Sequence, residues 1–208
     1  MASLNASFDE LFARTPVMAI LRGYSPEKAV QLASTAWDLG IDCVEIPIQS
    51  PETLAALEAT VEAGRSRGKA VGAGTVISVE HVRQARDAGA AYTVSPGLDP
   101  DVIKASLDAG LPSLPGVATA SEIQAALRLG LNWVKAFPAA ELGPSWFRAM
   151  HGPFPGLNFV ATGGITPSNA KDFLDADARV VALGSALADP DALPAIATLL
   201  AASPSGRA

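Results

Sequence analysis

Lys135 sits in an apolar run, with Trp133 and Val134 before it and Ala136 and Phe137 after it. Such surroundings disfavour an ammonium relative to the neutral amine. A neutral amine can attack a ketone and form a Schiff base. The plainer reading is a strand-end lysine that snorkels to solvent. Glu45 lies between Val44 and Ile46, and strand alternation sends those two to one face and Cys43 and Glu45 to the other. A carboxylate at that depth is either half of a buried ion pair, with Arg22 as the partner its spacing suggests, or a general acid/base beside Lys135. The co-occurrence of Glu45 favours the reactive reading of Lys135. Cys43 reads as small core filling, because nothing near it would activate a thiolate.

Two glycine turns add a binding function. Thr162-Gly163-Gly164-Ile165-Thr166-Pro167-Ser168 and Gly184-Ser185 each follow an apolar run. Glycines let backbone amides approach a ligand, and a helix opening near Pro167 or Ser168 would aim unpaired N–H groups at an anion. Phosphate is the expected ligand. Metal chemistry is not expected: His81 falls in a helical segment and His151 in a Gly/Pro-rich connection, both read as surface positions, and neither begins a ligand cluster. Trp37, Trp133 and Trp146 read as packing residues.

These groups need rigid elements to hold them. Short runs rich in Val, Ile and Ala predict strands near Val17–Leu21, Asp42–Ile46, Ala70–Ala73, Ala91–Val94, Leu111–Leu114, Trp133–Ala136, Asn158–Ala161 and Arg179–Leu183. Between them Pro26–Leu39, Pro51–Arg67, Val79–Ala88 and Glu122–Leu129 carry helical stripes, such as Leu32, Ala36 and Leu39, or Leu54, Leu57 and Val61. Ser25-Pro26, Ser50-Pro51 and Asp99-Pro100 open helices, Ser121-Glu122 opens another, and Gly40, Gly68, Gly89, Gly110 and Gly130 close them. Repeated β-α alternation implies parallel strands with right-handed crossovers. The expected fold is a single (β/α)8 TIM barrel, an open doubly wound sheet being the other arrangement of the same pattern. In a barrel, the polar residues that end strands converge on one mouth. Here they are Arg22, Glu45, Gln49, Thr75, Ser95-Pro96, Lys135, Thr162-Gly163-Gly164 and Gly184-Ser185.

Composition narrows the partners. The 208 residues carry 15 Lys+Arg against 21 Asp+Glu, a formal charge of −6, with 49% hydrophobic and 17% charged residues. That supports a folded core and disfavours a polyanion-binding surface, so no nucleic-acid partner is expected. With one cysteine, no signal-like leader and no long apolar run, a cytoplasmic protein with no membrane contact is expected. The chain reads as one domain over 1–208, with loose tails at about 1–7 and 202–208.

The ordered motifs Ala19-Ile20-Leu21-Arg22-Gly23, Val44-Glu45-Ile46-Pro47, Val71-Gly72-Ala73-Gly74-Thr75-Val76, Ser95-Pro96-Gly97, Leu114-Pro115-Gly116, Val134-Lys135-Ala136-Phe137-Pro138-Ala139, Thr162-Gly163-Gly164-Ile165 and Leu183-Gly184-Ser185 resemble one family. It comprises the 2-keto-3-deoxy-6-phosphogluconate and 2-keto-3-deoxy-6-phosphogalactonate aldolases, class I lyases of sugar-acid and Entner–Doudoroff metabolism on a (β/α)8 barrel. The resemblance implies Lys135 as the Schiff-base lysine and Glu45 as the general acid/base. It implies Thr75, Pro96 and Phe137 around the pyruvyl group, Thr162, Gly163, Gly164, Gly184 and Ser185 at the phosphate, and Arg22 as an anion ligand at the mouth. It also implies a homotrimer that needs neither cofactor nor metal. Gluconate-type members tend to read Glu-Val-Thr-Leu-Arg, whereas this chain reads Glu45-Ile46-Pro47-Ile48-Gln49. That departure, with Gln49 as an amide contact, resembles the galactonate type. The implied reaction is cleavage of 2-keto-3-deoxy-6-phosphogalactonate to pyruvate and D-glyceraldehyde 3-phosphate. The alternatives are the gluconate epimer, both epimers with 4-hydroxy-2-oxoglutarate, a phosphate-binding barrel isomerase or epimerase, and a non-catalytic phospho-sugar binding module.

Overall fold

The computed structural model describes residues 8–202, so the tails expected at 1–7 and from 203 onward lie outside the described residues, while Ala202 ends a helix instead of belonging to a tail. After a helical turn at 8–11, the strands are β1 (Val17–Ile20), β2 (Cys43–Pro47), β3 (Val71–Gly74), β4 (Thr93–Val94), β5 (Ser113–Leu114), β6 (Gly116–Val117), β7 (Trp133–Ala136), β8 (Asn158–Ala161) and β9 (Val180–Leu183). Between and after them run α1 (Pro26–Asp38), α2 (Pro51–Ser66), α3 (Val79–Asp87), α4 (Pro100–Asp108), α5 (Ala120–Arg128), α6 (Ala139–Leu142), α7 (Pro144–His151), α8 (Ala170–Leu174) and α9 (Leu193–Ala202).

All strand pairs are parallel, and the sheet order is β5-β4-β3-β2-β1-β9-β8-β7-β6. The two ends of that order, β5 and β6, are separated only by Pro115, whose carbonyl accepts from Lys135 N–H at 2.9 Å. They are halves of one stave, because proline has no N–H to continue the ladder. Eight staves therefore close into a barrel, and the open-sheet alternative falls away. The fifth stave runs on to Val117, beyond the expected end at Leu114, for the same reason: the proline interrupts the pattern without ending the pairing.

Caps account for most helix starts. Ser25, Ser50 and Asp99 accept from first-turn N–H groups as expected, and Ser78 does so for α3. In α5 the cap is Thr119, not Ser121: its side chain and Glu122 bond reciprocally with the backbone. The five terminating glycines all take positive φ, between 64° and 92°, a region that costs a side-chain-bearing residue energy.

Alternation along the staves makes two cores. Val44, Ile46, Val134 and Ala136 face the helices in the outer layer, while Met18, Ile20, Cys43, Tyr92, Val94, Leu114, Trp133, Val160, Val180 and Ala182 fill the barrel. Phe8 and Phe12 plug its N-terminal end. Phe8 meets Tyr92 edge-on at 5.7 Å and Phe12 lies 5.1 Å from Trp133, whose Nε1 donates to Asp9 at 2.8 Å. Burial raises the Cys43 thiol to about 12, in line with core filling. Native protein should therefore leave Ellman's reagent unreacted at pH 8 and release one thiol equivalent once unfolded. Phe8→Ala should cost about 3–5 kcal/mol, which for a chain of this size lowers the thermal midpoint by about 10 °C in a calorimetric scan.

Candidate active site

Lys135 and Glu45 lie on β7 and β2, which are separated by three staves whichever way the barrel is followed. Both side chains enter the barrel one layer above its inner core, since Trp133 and Cys43, two residues earlier on the same strands, belong to that core. They are almost fully buried, at 3% and 1% exposure. The lysine therefore does not snorkel to solvent. Neither residue is in an ion pair among the described residues, and both carboxylate oxygens of Glu45 are without a hydrogen-bond partner. The proposed Arg22–Glu45 pair is thus overturned: Arg22 is exposed at the mouth, where its Nη1 donates to Gln49 Oε1 at 2.9 Å and to Thr75 Oγ1 at 3.4 Å. Lys135 Nζ lies 5.2 Å from the centroid of the Phe137 ring, a placement that draws a cation.

Glycines supply the space around these groups. Gly72 pairs with Glu45 and Gly116 with Lys135 across the ladder. A Cβ at Gly74 would stand 2.0 Å from Glu45 Oε1, one at Gly72 2.0 Å from the Tyr92 ring, and one at Gly116 2.1 Å from the Pro96 carbonyl oxygen. The role of these glycines was missed from sequence, although glycine inside a strand signals close approach. Below Glu45, the Tyr92 hydroxyl donates to the Val44 carbonyl at 2.8 Å. Burial holds that phenol well above its usual range, so it stays protonated. Pro96 and Phe137 are half-buried at the same mouth.

The turn after β8 has Gly163 at φ 96° and Gly164 at φ 72°. A side chain at Gly164 would come within 2.5 Å of Ala140 Cβ. Thr162 and Gly163 carbonyls accept from Ala139 and Ala140, at 2.7 and 3.0 Å, and among the described residues the N–H groups of Gly163 and Gly164 have no acceptor in the chain. One expectation is corrected. The helix opens at Ala170, not near Pro167 or Ser168, because Asn169 spends its side chain on Thr166 N–H and the Gly164 carbonyl, at 2.8 and 3.0 Å. Gly184 has φ −103° and ψ −96°, and a Cβ there would meet only Ile20 O at 3.8 Å. Ser185 follows it, exposed, at the start of a 3-10 turn.

The two histidines, read as surface positions, are half-buried. His151 Nε2 lies 3.0 Å from Asp177 O at the other end of the barrel, and His81 Nδ1 lies 3.2 Å from Thr75 O. Among the described residues, no three His, Cys, Asp or Glu side chains are grouped to hold a metal. A cavity of about 1200 Å³, lined by Phe12, Trp133, His151, Arg179 and Leu199 among others, lies at the N-terminal end and contains none of the mouth residues. The chemistry follows the strand ends instead.

The family model described as KDPG and KHG aldolase matches residues 8–197. The chain is 36% identical over 176 residues to a probable 2-dehydro-3-deoxy-6-phosphogalactonate aldolase of Rhizobium meliloti, covering 84% of this chain and 82% of that one. It is 38% identical over 177 residues to a 2-dehydro-3-deoxy-phosphogluconate aldolase of Treponema pallidum, with 84% and 82% covered. Among solved structures, it superposes with a TM-score of 0.79 and 30% identity on the KDPG aldolase of Legionella pneumophila, captured with pyruvate as a covalent carbinolamine, over 91% of this chain and 92% of that one. A buried lysine opposite an unpaired carboxylate, in a barrel matched nearly end to end at these identities, makes this chain a member of the KDPG and KHG aldolase family.

Proposed function

We propose that the protein cleaves 2-keto-3-deoxy-6-phosphogalactonate reversibly to pyruvate and D-glyceraldehyde 3-phosphate by Schiff-base catalysis. The observation that carries this reading is the opposition of buried Lys135 to buried Glu45, whose two oxygens have no partner in the chain. A carboxylate so placed is open to substrate or water. Lys135 attacks the C2 ketone, and Glu45 moves protons, through water, as the carbinolamine loses water to give the iminium. Glu45 then takes the C4 hydroxyl proton while the C3–C4 bond breaks, its electron pair passing into the iminium to form an enamine. Glyceraldehyde 3-phosphate leaves. Glu45 returns a proton to C3, and hydrolysis frees pyruvate and Lys135.

Arg22, with Gln49 and Thr75, binds an anionic or hydroxyl end of the substrate at the mouth, Pro96 and Phe137 wall the pyruvyl group, and Thr162, Gly163, Gly164, Gly184 and Ser185 receive the phosphate through hydroxyl and backbone groups. The galactonate assignment is supported by Glu45-Ile46-Pro47-Ile48-Gln49. The second reading is the gluconate epimer or both epimers, supported by the identity to a phosphogluconate aldolase. The protein works as one barrel domain without a cofactor, in the cytoplasm and as a homotrimer. Among the described residues no helix is long and apolar enough to cross a membrane.

Borohydride reduction with pyruvate, followed by peptide mapping, should place the adduct on Lys135; an adduct elsewhere, or none, overturns the mechanism. Glu45→Gln should trap pyruvate yet lower kcat by about 10²- to 10⁴-fold. Gly74→Ala, whose Cβ would stand 2.0 Å from Oε1, 2.6 Å from Cδ and 2.7 Å from Cγ of Glu45, should lose most cleavage activity through displacement of that carboxylate, with circular dichroism reporting how much of the fold is retained. The ratio of kcat/KM on the two phosphorylated epimers, followed by lactate-dehydrogenase coupling, should favour the galactonate form.

A further inference from the structure

Thr75, the residue that follows β3, has φ 58°. A β-branched residue avoids this left-handed region, which persists only where surrounding bonds over-determine it. Those bonds are visible. Val76 N–H donates to Val94 O at 3.0 Å, and Ser95 Oγ donates to Val76 O at 2.7 Å, tying the middle of the turn to the β4 stave. The flanking groups are left to His81. Its Nδ1 is 3.2 Å from Thr75 O, to which it donates when it carries the proton, and 3.4 Å from Ile77 N–H, from which it accepts when it does not. Either tautomer therefore bonds one backbone group of this turn. The backbone that carries the imidazole is itself fixed, because the His81 backbone N–H donates to the helix cap Ser78 Oγ at 3.1 Å.

The other side of Thr75 faces the mouth. Among the described residues, its Oγ1 and Gln49 Oε1 are the two protein acceptors of Arg22 Nη1, at 3.4 and 2.9 Å. We propose that His81 is a positioning residue for substrate binding: it clamps the 75–77 turn so that Thr75 presents its hydroxyl to Arg22 and fixes the guanidinium that receives the anionic substrate. Without the clamp, Thr75 relaxes toward negative φ and its hydroxyl swings away from Arg22. Substrate affinity then falls, while the lysine and glutamate on β7 and β2 are undisturbed. This inference rests on the aldolase reading above.

The test compares His81→Leu with His81→Asn, two side chains of similar size. Only the asparagine places a polar atom where Nδ1 lies. Each variant is assayed on the phosphorylated substrate, with kcat expressed per Lys135 trapped by borohydride and pyruvate. His81→Leu should raise KM by about 3- to 10-fold, the worth of one hydrogen bond, with kcat per trapped site within about twofold; His81→Asn should return KM toward the wild-type value. A leucine variant with unchanged KM, or a rise that asparagine does not reverse, overturns the clamp. Loss of active sites at unchanged KM in both variants marks a structural role alone and overturns it too. Wild-type protein that neither traps pyruvate nor cleaves either epimer overturns the aldolase reading, and this inference with it.

Discussion

Glu45 sets the terms for the rest of the barrel. A carboxylate at 1% exposure with both oxygens unpaired carries a desolvation cost of several kcal/mol, against a total folding stability of about 5–15 kcal/mol for an ordinary domain. Such a group survives only if burial elsewhere offsets it. The inner layer supplies part of that burial, from Met18 and Ile20 through Tyr92 and Leu114 to Val160 and Val180, sealed below by Phe8 and Phe12. The outer layer between staves and helices supplies the remainder.

The same carboxylate explains where side chains are missing. Gly72 and Gly74 on the neighbouring stave and Gly116 beside Lys135 leave room for the Tyr92 ring, the Glu45 carboxylate and the Pro96 carbonyl, with which any side chain there would collide. The lysine and the carboxylate stand on opposite staves and form no ion pair among the described residues, an arrangement that a substrate can bridge. Close packing keeps that geometry fixed, because staves in register cannot slide without moving a whole face of side chains. At the mouth, backbone strain falls on Thr75, where hydrogen bonds from two elements hold it; at the other end Asp177 also takes positive φ, at 70°.

Much of this was legible along the chain. Strand alternation put Glu45 and Cys43 inside, the cap residues and positive-φ glycines bounded the helices, and the apolar run around Lys135 marked a lysine out of water. The failures have local causes. Pro115 hid the continuation of the fifth stave because proline breaks the hydrogen-bond pattern without ending the strand. Asn169 displaced the start of α8 because its amide bonds the preceding turn. His81 read as a surface residue because a helical stripe says nothing about which loop the helix start folds back upon.

What the sequence by itself determined is periodic and local: which residues form strands, which face of each strand is apolar, where helices begin and stop, and which ionisable groups those patterns bury. Only the tertiary structure decided what opposes what. Glu45 and Lys135 are 90 positions apart, and nothing in either strand reveals that closure through β5 and β6 sets them on opposite staves. Nor could spacing show that Arg22 turns to Gln49 and Thr75 instead of Glu45. Side-chain pairing across a barrel depends on stave order and register, which arise when the whole sheet closes and are encoded in no single segment.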